Sequence, residues 1–96
     1  MNIAKELAGT ALTISVSGRL DTMTAPALEQ ELKPSYGSIT ELTLDFKELQ
    51  YISSAGLRVL LSAHKAMKGN LVIKNVSQVV MEIFDVTGFS DILTIV

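Results

Sequence analysis

The side chains of this 96-residue sequence whose type and setting could do chemistry are the adjacent pair Ser53 and Ser54, the single histidine His64, and Asp21 ahead of the first helical stretch. The two hydroxyls stand where a strand and its loop give way to helical spacing in Leu57, Arg58, Val59, Leu60 and Leu61. Serine before a periodic apolar run reads first as a helix N-cap, whose oxygen accepts one of the unpaired amide hydrogens of the first turn. Those same amides and the helix dipole favour a negative group, so a phosphate on Ser53 or Ser54 would be tolerated without unfolding the helix. A serine here can therefore serve as cap and as switch. Hydrolysis is a poor fit to the same residues. His64 lies ten residues beyond Ser54 on the same helix, about 15 Å along its axis at 1.5 Å per residue, far outside the reach of a general base.

Composition narrows the remaining classes. No cysteine is present, which removes disulfides and thiol catalysis, and one histidine makes a zinc site improbable, so no metal or cofactor is expected. A net charge of −2 without a Lys/Arg cluster argues against nucleic acid as a partner. There is no Gly-rich nucleotide loop. No apolar run approaches the roughly 18 residues of a membrane span, so direct membrane insertion is not expected. The amino terminus shows neither a basic head nor a long apolar stretch, and the expected location is the cytoplasm. Nearly half the residues are apolar, enough for one folded domain over residues 1–96. The expected partner is protein.

The elements that must position the serines follow from periodicity. Residues 2 to 7 form a weak strand candidate closed by Ala8-Gly9-Thr10, and Leu12, Ile14 and Val16 alternate with polar residues in a second strand ending at Gly18. Thr24 is a candidate cap for a helix in which Ala25, Leu28 and Leu32 share a face, ending before Pro34. Leu42, Leu44 and Phe46 predict a third strand at about residues 39 to 47. The helix after Ser54 carries two stripes. Val59, Leu60, Ala63 and Met67 read as core, while Leu57, Leu61, His64 and Lys68 begin apolar and become cationic, so Leu57 and Leu61 are expected to be partly exposed. Leu71-Val72-Ile73 reads as an interior strand covered on both faces. Ser77 caps a third helix that stops at Gly88, and residues 92 to 96 are a last strand candidate. The fold class is α/β: a single mixed sheet of four to five strands with helices packed on it, in the order β-β-α-β-α-β-α-β. Loops at the strand carboxyl ends would bring Asp21 and Ser53-Ser54 to one end of that sheet.

Three landmarks, Gly18-Arg19-Leu20-Asp21, then Tyr51-Ile52-Ser53-Ser54-Ala55-Gly56-Leu57, then Ile83-Phe84-Asp85-Val86-Thr87-Gly88, resemble those of the bacterial anti-sigma factor antagonists of the STAS domain family. The resemblance runs through nearly the whole chain. It implies a binding protein rather than an enzyme, one that sequesters an anti-sigma factor which is commonly also a serine protein kinase. That kinase phosphorylates a serine two positions before the loop glycine, and a PP2C-type serine phosphatase reverses the step. Counting back from Gly56, the resemblance assigns the phosphorylated position to Ser54. Ser53 stands where the family often has aspartate. The expected partner-binding surface is the loop and first turns of the helix after Ser54, comprising Asp21, Ser53, Ala55, Gly56, Leu57, Arg58 and Leu61, on a protein expected to be monomeric when free. A second reading within the same fold is a constitutive adaptor subunit of a membrane transport complex, which needs no phosphorylation.

Overall fold

The computed structural model describes residues 1–96. The alternation Leu12, Ile14, Val16 produces the strand it predicts: β2 (Ala11–Leu20) pairs antiparallel with β1 (Asn2–Ala8), with Leu7 opposite Leu12 and Asn2 opposite Ser17. β3 (Glu41–Asp45) lies parallel to β2 on its other side, followed by β5 (Leu71–Lys74) and β6 (Thr94–Ile95), giving the order β1-β2-β3-β5-β6. The sheet is mixed, as expected, and has six strands rather than four to five. The additional one is β4 (Leu49–Ile52), which pairs parallel with the last residues of β2.

β2 does not end at Gly18. It continues to Leu20 and changes partner on the way, from β3 to β4. Gly18 sits at φ +88°, a conformation that costs a residue with a Cβ, and the register shifts between Gly18 and Arg19. Leu49 pairs with Gly18 and Tyr51 with Arg19, so Gln50 is the extra residue on β4. This irregularity lets Leu49 and Ile52, three residues apart, both face the core.

Three helices, α1 (Ala25–Leu32), α2 (Ser54–Ala66) and α3 (Gln78–Thr87), contribute Leu28, Leu32, Leu60, Ala63, Val80 and Phe84 to a core of 23 buried apolar residues. From the sheet come Leu12, Ile14, Val16, Leu42, Leu44, Leu71 and Ile73, all on one side of their strands, joined by Phe46 just past the end of β3. The opposite side carries Thr13, Ser15, Thr43, Asp45, Val72 and Lys74, half-buried or exposed. Only one face of the sheet is therefore covered, and β5 alternates where a strand buried on both faces was expected. α3 begins as predicted, with the Ser77 hydroxyl accepting the Val80 amide at 3.2 Å, and ends at a left-handed Gly88. No helix is long and apolar enough to cross a membrane.

Candidate functional site

The parallel pairing of β2 and β4 places the two loops of interest together. Leu20 is in register with Ile52, and the next residue extends the ladder by one bond, Ser53 N–H to Leu20 O at 2.9 Å. Asp21 and Ser53 thus leave neighbouring strand ends side by side, as the sequence order implied.

Ser53 occupies the N-cap position of α2 with extended backbone, φ −100° and ψ 177°, and its carbonyl accepts the Leu57 amide at 2.9 Å. Its hydroxyl makes no capping bond and is buried without a partner, contrary to the capping role expected for that oxygen. Ser54 is the first helical residue and is exposed. Leu57 is the first residue of α2 whose amide reaches an acceptor one turn back, so the amides of Ser54, Ala55 and Gly56 face the end of the helix and give it partial positive charge.

The first turn is pressed onto the sheet. Gly56 is buried, and a Cβ built there would lie 2.7 Å from Ile52 Cγ1 and 2.9 Å from Leu20 O. This seating also buries Leu57, which is 6% exposed and belongs to the core, correcting the expectation that it stands partly in solvent. Leu61, one turn later, is half-buried, and Arg58, at i+4 from Ser54 on the same side of the helix, is exposed. Of the residues expected on a docking surface, Arg58 is exposed and Asp21, Ser53, Ala55 and Leu61 are half-buried, the Ser53 hydroxyl itself being covered. Gly56 and Leu57 support the turn from beneath.

Across from α2, Asp21 organises the start of α1. Its Oδ1 accepts the amides of Met23 at 3.0 Å and Thr24 at 3.2 Å, and its own amide donates to Thr24 Oγ1 at 2.9 Å. The Thr24 hydroxyl donates to Arg19 O at 2.7 Å, so Thr24 fastens the turn to β2 and does not cap α1 with its side chain. Asp21 Oδ2 lies 3.8 Å from Arg19 Nε, and the Arg19 guanidinium rests 4.4 Å from the centre of the Tyr51 ring, a cation–π contact linking β2 to β4. Desolvation pushes the Asp21 carboxyl up, but the Met23 and Thr24 amides and Arg19 outweigh it and hold the group below the usual aspartate value. Asp21 is therefore an anion at neutral pH beside the helix that carries Ser54.

Between α1 and α2 runs a shallow groove of about 220 Å³, bounded by Thr22, Pro26 and Glu29 on one side and Ala55, Arg58 and Val59 on the other. The α1 side escaped the sequence reading. Its only signal was the three-residue spacing of Pro26 and Glu29, one position along from the buried Ala25 and Leu28. Nothing in the surroundings makes Ser54 a nucleophile: His64 is two turns or more along the helix, with its Nδ1 buried and unpartnered, and no group of three His, Asp or Glu could hold a metal. Ser54 thus presents an exposed hydroxyl at a positively polarised helix end, next in sequence to Ala55, which lines the groove between the two helices.

Known proteins bear on these features. The family model described as Mlab, STAS domain, matches residues 3–95. An anti-sigma-B factor antagonist of Bacillus subtilis is 31% identical over 88% of this chain and 80% of its own length. Among solved structures, an anti-sigma factor antagonist from Mycobacterium paratuberculosis superposes with a TM-score of 0.87 over 98% of this chain and 83% of that one, at 23% identity. The Bacillus cell fate determinant SpoIIAA in its phosphorylated form gives a TM-score of 0.77 over 99% and 91%, at 17% identity. The two structures share the fold.

Proposed function

This chain belongs to the STAS domain family, and from that membership we propose that it is an anti-sigma factor antagonist switched by phosphorylation of Ser54. In the unmodified state it binds an anti-sigma factor that is also a serine protein kinase. Phosphate on Ser54 ends the association, and a PP2C-type serine phosphatase restores it. The cycle runs in the cytoplasm. An antagonist acts by binding, so no catalytic step falls to this chain.

The observation that carries the reading is the position of Ser54, exposed at the first residue of α2, next to Ala55 and one turn before Arg58, both of which line the α1–α2 groove. Arg58 and Leu61 on α2, with Thr22 and Asp21 on the facing loop, offer the partner a surface with charges of both signs. A phosphate adds about −1.5 to −2 charges and three acceptor oxygens there. Opposed to a partner carboxylate about 6 Å away at an effective dielectric near 20, a dianion costs about 5 kcal/mol before salt screening. With about 1.4 kcal/mol per tenfold in affinity, even half of that separates the complex. The free amides of the first turn accommodate the charge, so the fold survives.

The test is phosphorylation itself. Incubation with ATP and the purified anti-sigma kinase of the same organism, read by intact mass and site mapping, is expected to add one phosphate on Ser54. Ser54→Ala is expected to abolish it and Ser53→Ala to leave it. A protein that stays unmodified while still copurifying with a transport ATPase is instead a constitutive adaptor.

A further inference from the structure

α3 presents a face that the Ser54 site does not use. Val80 and Phe84 bury the inner side of the helix. On the outer side Val79 is 53% and Val86 87% exposed, and the half-buried Ile83 lies between them at i+4 and i+7 spacing. Together with Glu82 and Thr87 they line an open groove of about 340 Å³. Ile92 and Val96, also exposed, follow in the same terminal segment, so four of the six large exposed apolar side chains of the protein fall within residues 76–96. Scattered surface leucines or valines need no explanation, but a helical stripe of them does.

The segment that carries the stripe is one-signed in charge. Residues 76–96 contain Glu82, Asp85 and Asp91 and no lysine or arginine, while the preceding 75 residues hold all 8 basic side chains against 7 of the 10 acidic ones. None of the three is engaged in an ion pair. The net negative charge of the chain thus falls in the segment that carries the stripe, with Glu82 in the groove lining and Asp85 exposed one turn along α3.

We propose that the outer face of α3, Val79, Ile83 and Val86 with their acidic flank, docks an amphipathic helix of a partner protein whose apolar stripe is bordered by lysine or arginine. The apolar stripes would pack together while Glu82 and Asp85 meet the bordering cations. A second copy fits less well, because α3 against α3 brings Glu82 and Asp85 of each near those of the other. A membrane fits less well still, since an anionic leaflet repels an acidic face. The two grooves share no lining residue, so docking here would leave the Ser54 end of α2 free for a second partner.

The probe is a fluorescent model helix with leucine at helical spacing flanked by lysine, compared with a scrambled isomer and a leucine/glutamate analogue by anisotropy. The leucine/lysine helix is expected to bind about tenfold or more tightly than either control. The double variant Val79→Ser/Val86→Ser is expected to lose that advantage, Glu82→Lys/Asp85→Lys to reverse the charge preference, and Pro26→Ala, in the other groove, to keep the wild-type affinity for the model helix. Circular dichroism of each variant checks that these surface substitutions leave the fold intact. Equal binding of the scrambled isomer, or binding indifferent to the α3 variants, overturns the proposal. So does self-association in sedimentation, or adsorption to vesicles containing phosphatidylglycerol, that disappears in the Val79→Ser/Val86→Ser protein.

Discussion

Gly56→Ala adds one methyl group at the point where the first turn of α2 rests on the sheet. That carbon would stand 2.7 Å from Ile52 Cγ1, 2.8 Å from Leu20 Cγ and 2.9 Å from Leu20 O. Rotation of side chains offers little relief, since Leu20 and Ile52 are fully buried. The third contact is backbone, and it is the same carbonyl that holds the Ser53 amide at 2.9 Å. Either the strand end or the helix must shift. Overpacking of this kind costs about 1–3 kcal/mol, and a contact with fixed backbone belongs at the upper end. Alanine recovers about 1 kcal/mol over glycine as a helix former. The net loss is about 2 kcal/mol, which in a domain of this size lowers Tm by roughly 10 °C. Thermal and urea denaturation followed by circular dichroism measure it, with Gly37→Ala as a control, because a Cβ there meets nothing within 4 Å. If Gly56→Ala melts at or above the wild-type temperature, the close seating of α2 is wrong, and with it the account of why Ser54 is held at that position.

Further outcomes follow from single contacts. Ser77→Ala removes the acceptor of the Val80 amide and should destabilise by about 1 kcal/mol, seen as a lower urea midpoint with unchanged slope. Leu57→Ala should cost about 2–5 kcal/mol as a core truncation, whereas Leu61→Ala should cost much less stability and chiefly weaken partner binding, a contrast that urea melts and titration calorimetry separate. Asp45 ties β3 to the residue after β5, accepting the Asn75 side-chain amide at 3.0 Å and the Lys47 backbone amide at 3.0 Å. Desolvation works against its charge, but these donors and the Lys74 and Lys47 cations hold its carboxyl below the usual value. A depressed carboxylate contributes stability that is full above its unfolded value of about 4 and is lost as pH falls through the folded one. Asp45→Asn should therefore lower stability at neutral pH and shrink the further loss on acidification, as read from urea midpoints across that range.

The strands that alternate strictly were legible in the sequence. Leu12, Ile14 and Val16, and again Leu42, Leu44 and Phe46, bury every second residue because one face of the sheet is covered and the other open. The helices were legible from stripe and stop: Ser77 and Gly88 bound α3 as their chemistry requires. β4 was missed for a definite reason. The shifted register opposite Gly18 and Arg19 turns Leu49 and Ile52 to the same side, and a strand with that spacing has no period-two signature. Leu57 was misjudged because a helical stripe was extended to the first turn. There, contact with two strand ends, made close by Gly56, covers more of the helix circumference than the later turns bury. The hydroxyl of Ser53 shows a limit of another kind: residue type marks an N-cap position, but local packing decides where the oxygen points.

The most direct test compares the affinity of unmodified and Ser54-phosphorylated protein for the anti-sigma factor of the same organism by titration calorimetry, with circular dichroism of both forms alongside. Superimposable spectra together with a Kd weakened by about a hundredfold or more is the predicted result. Equal affinities, or a phosphorylated form that has lost its fold, would contradict the claim that charge placed at the exposed first residue of α2 governs binding.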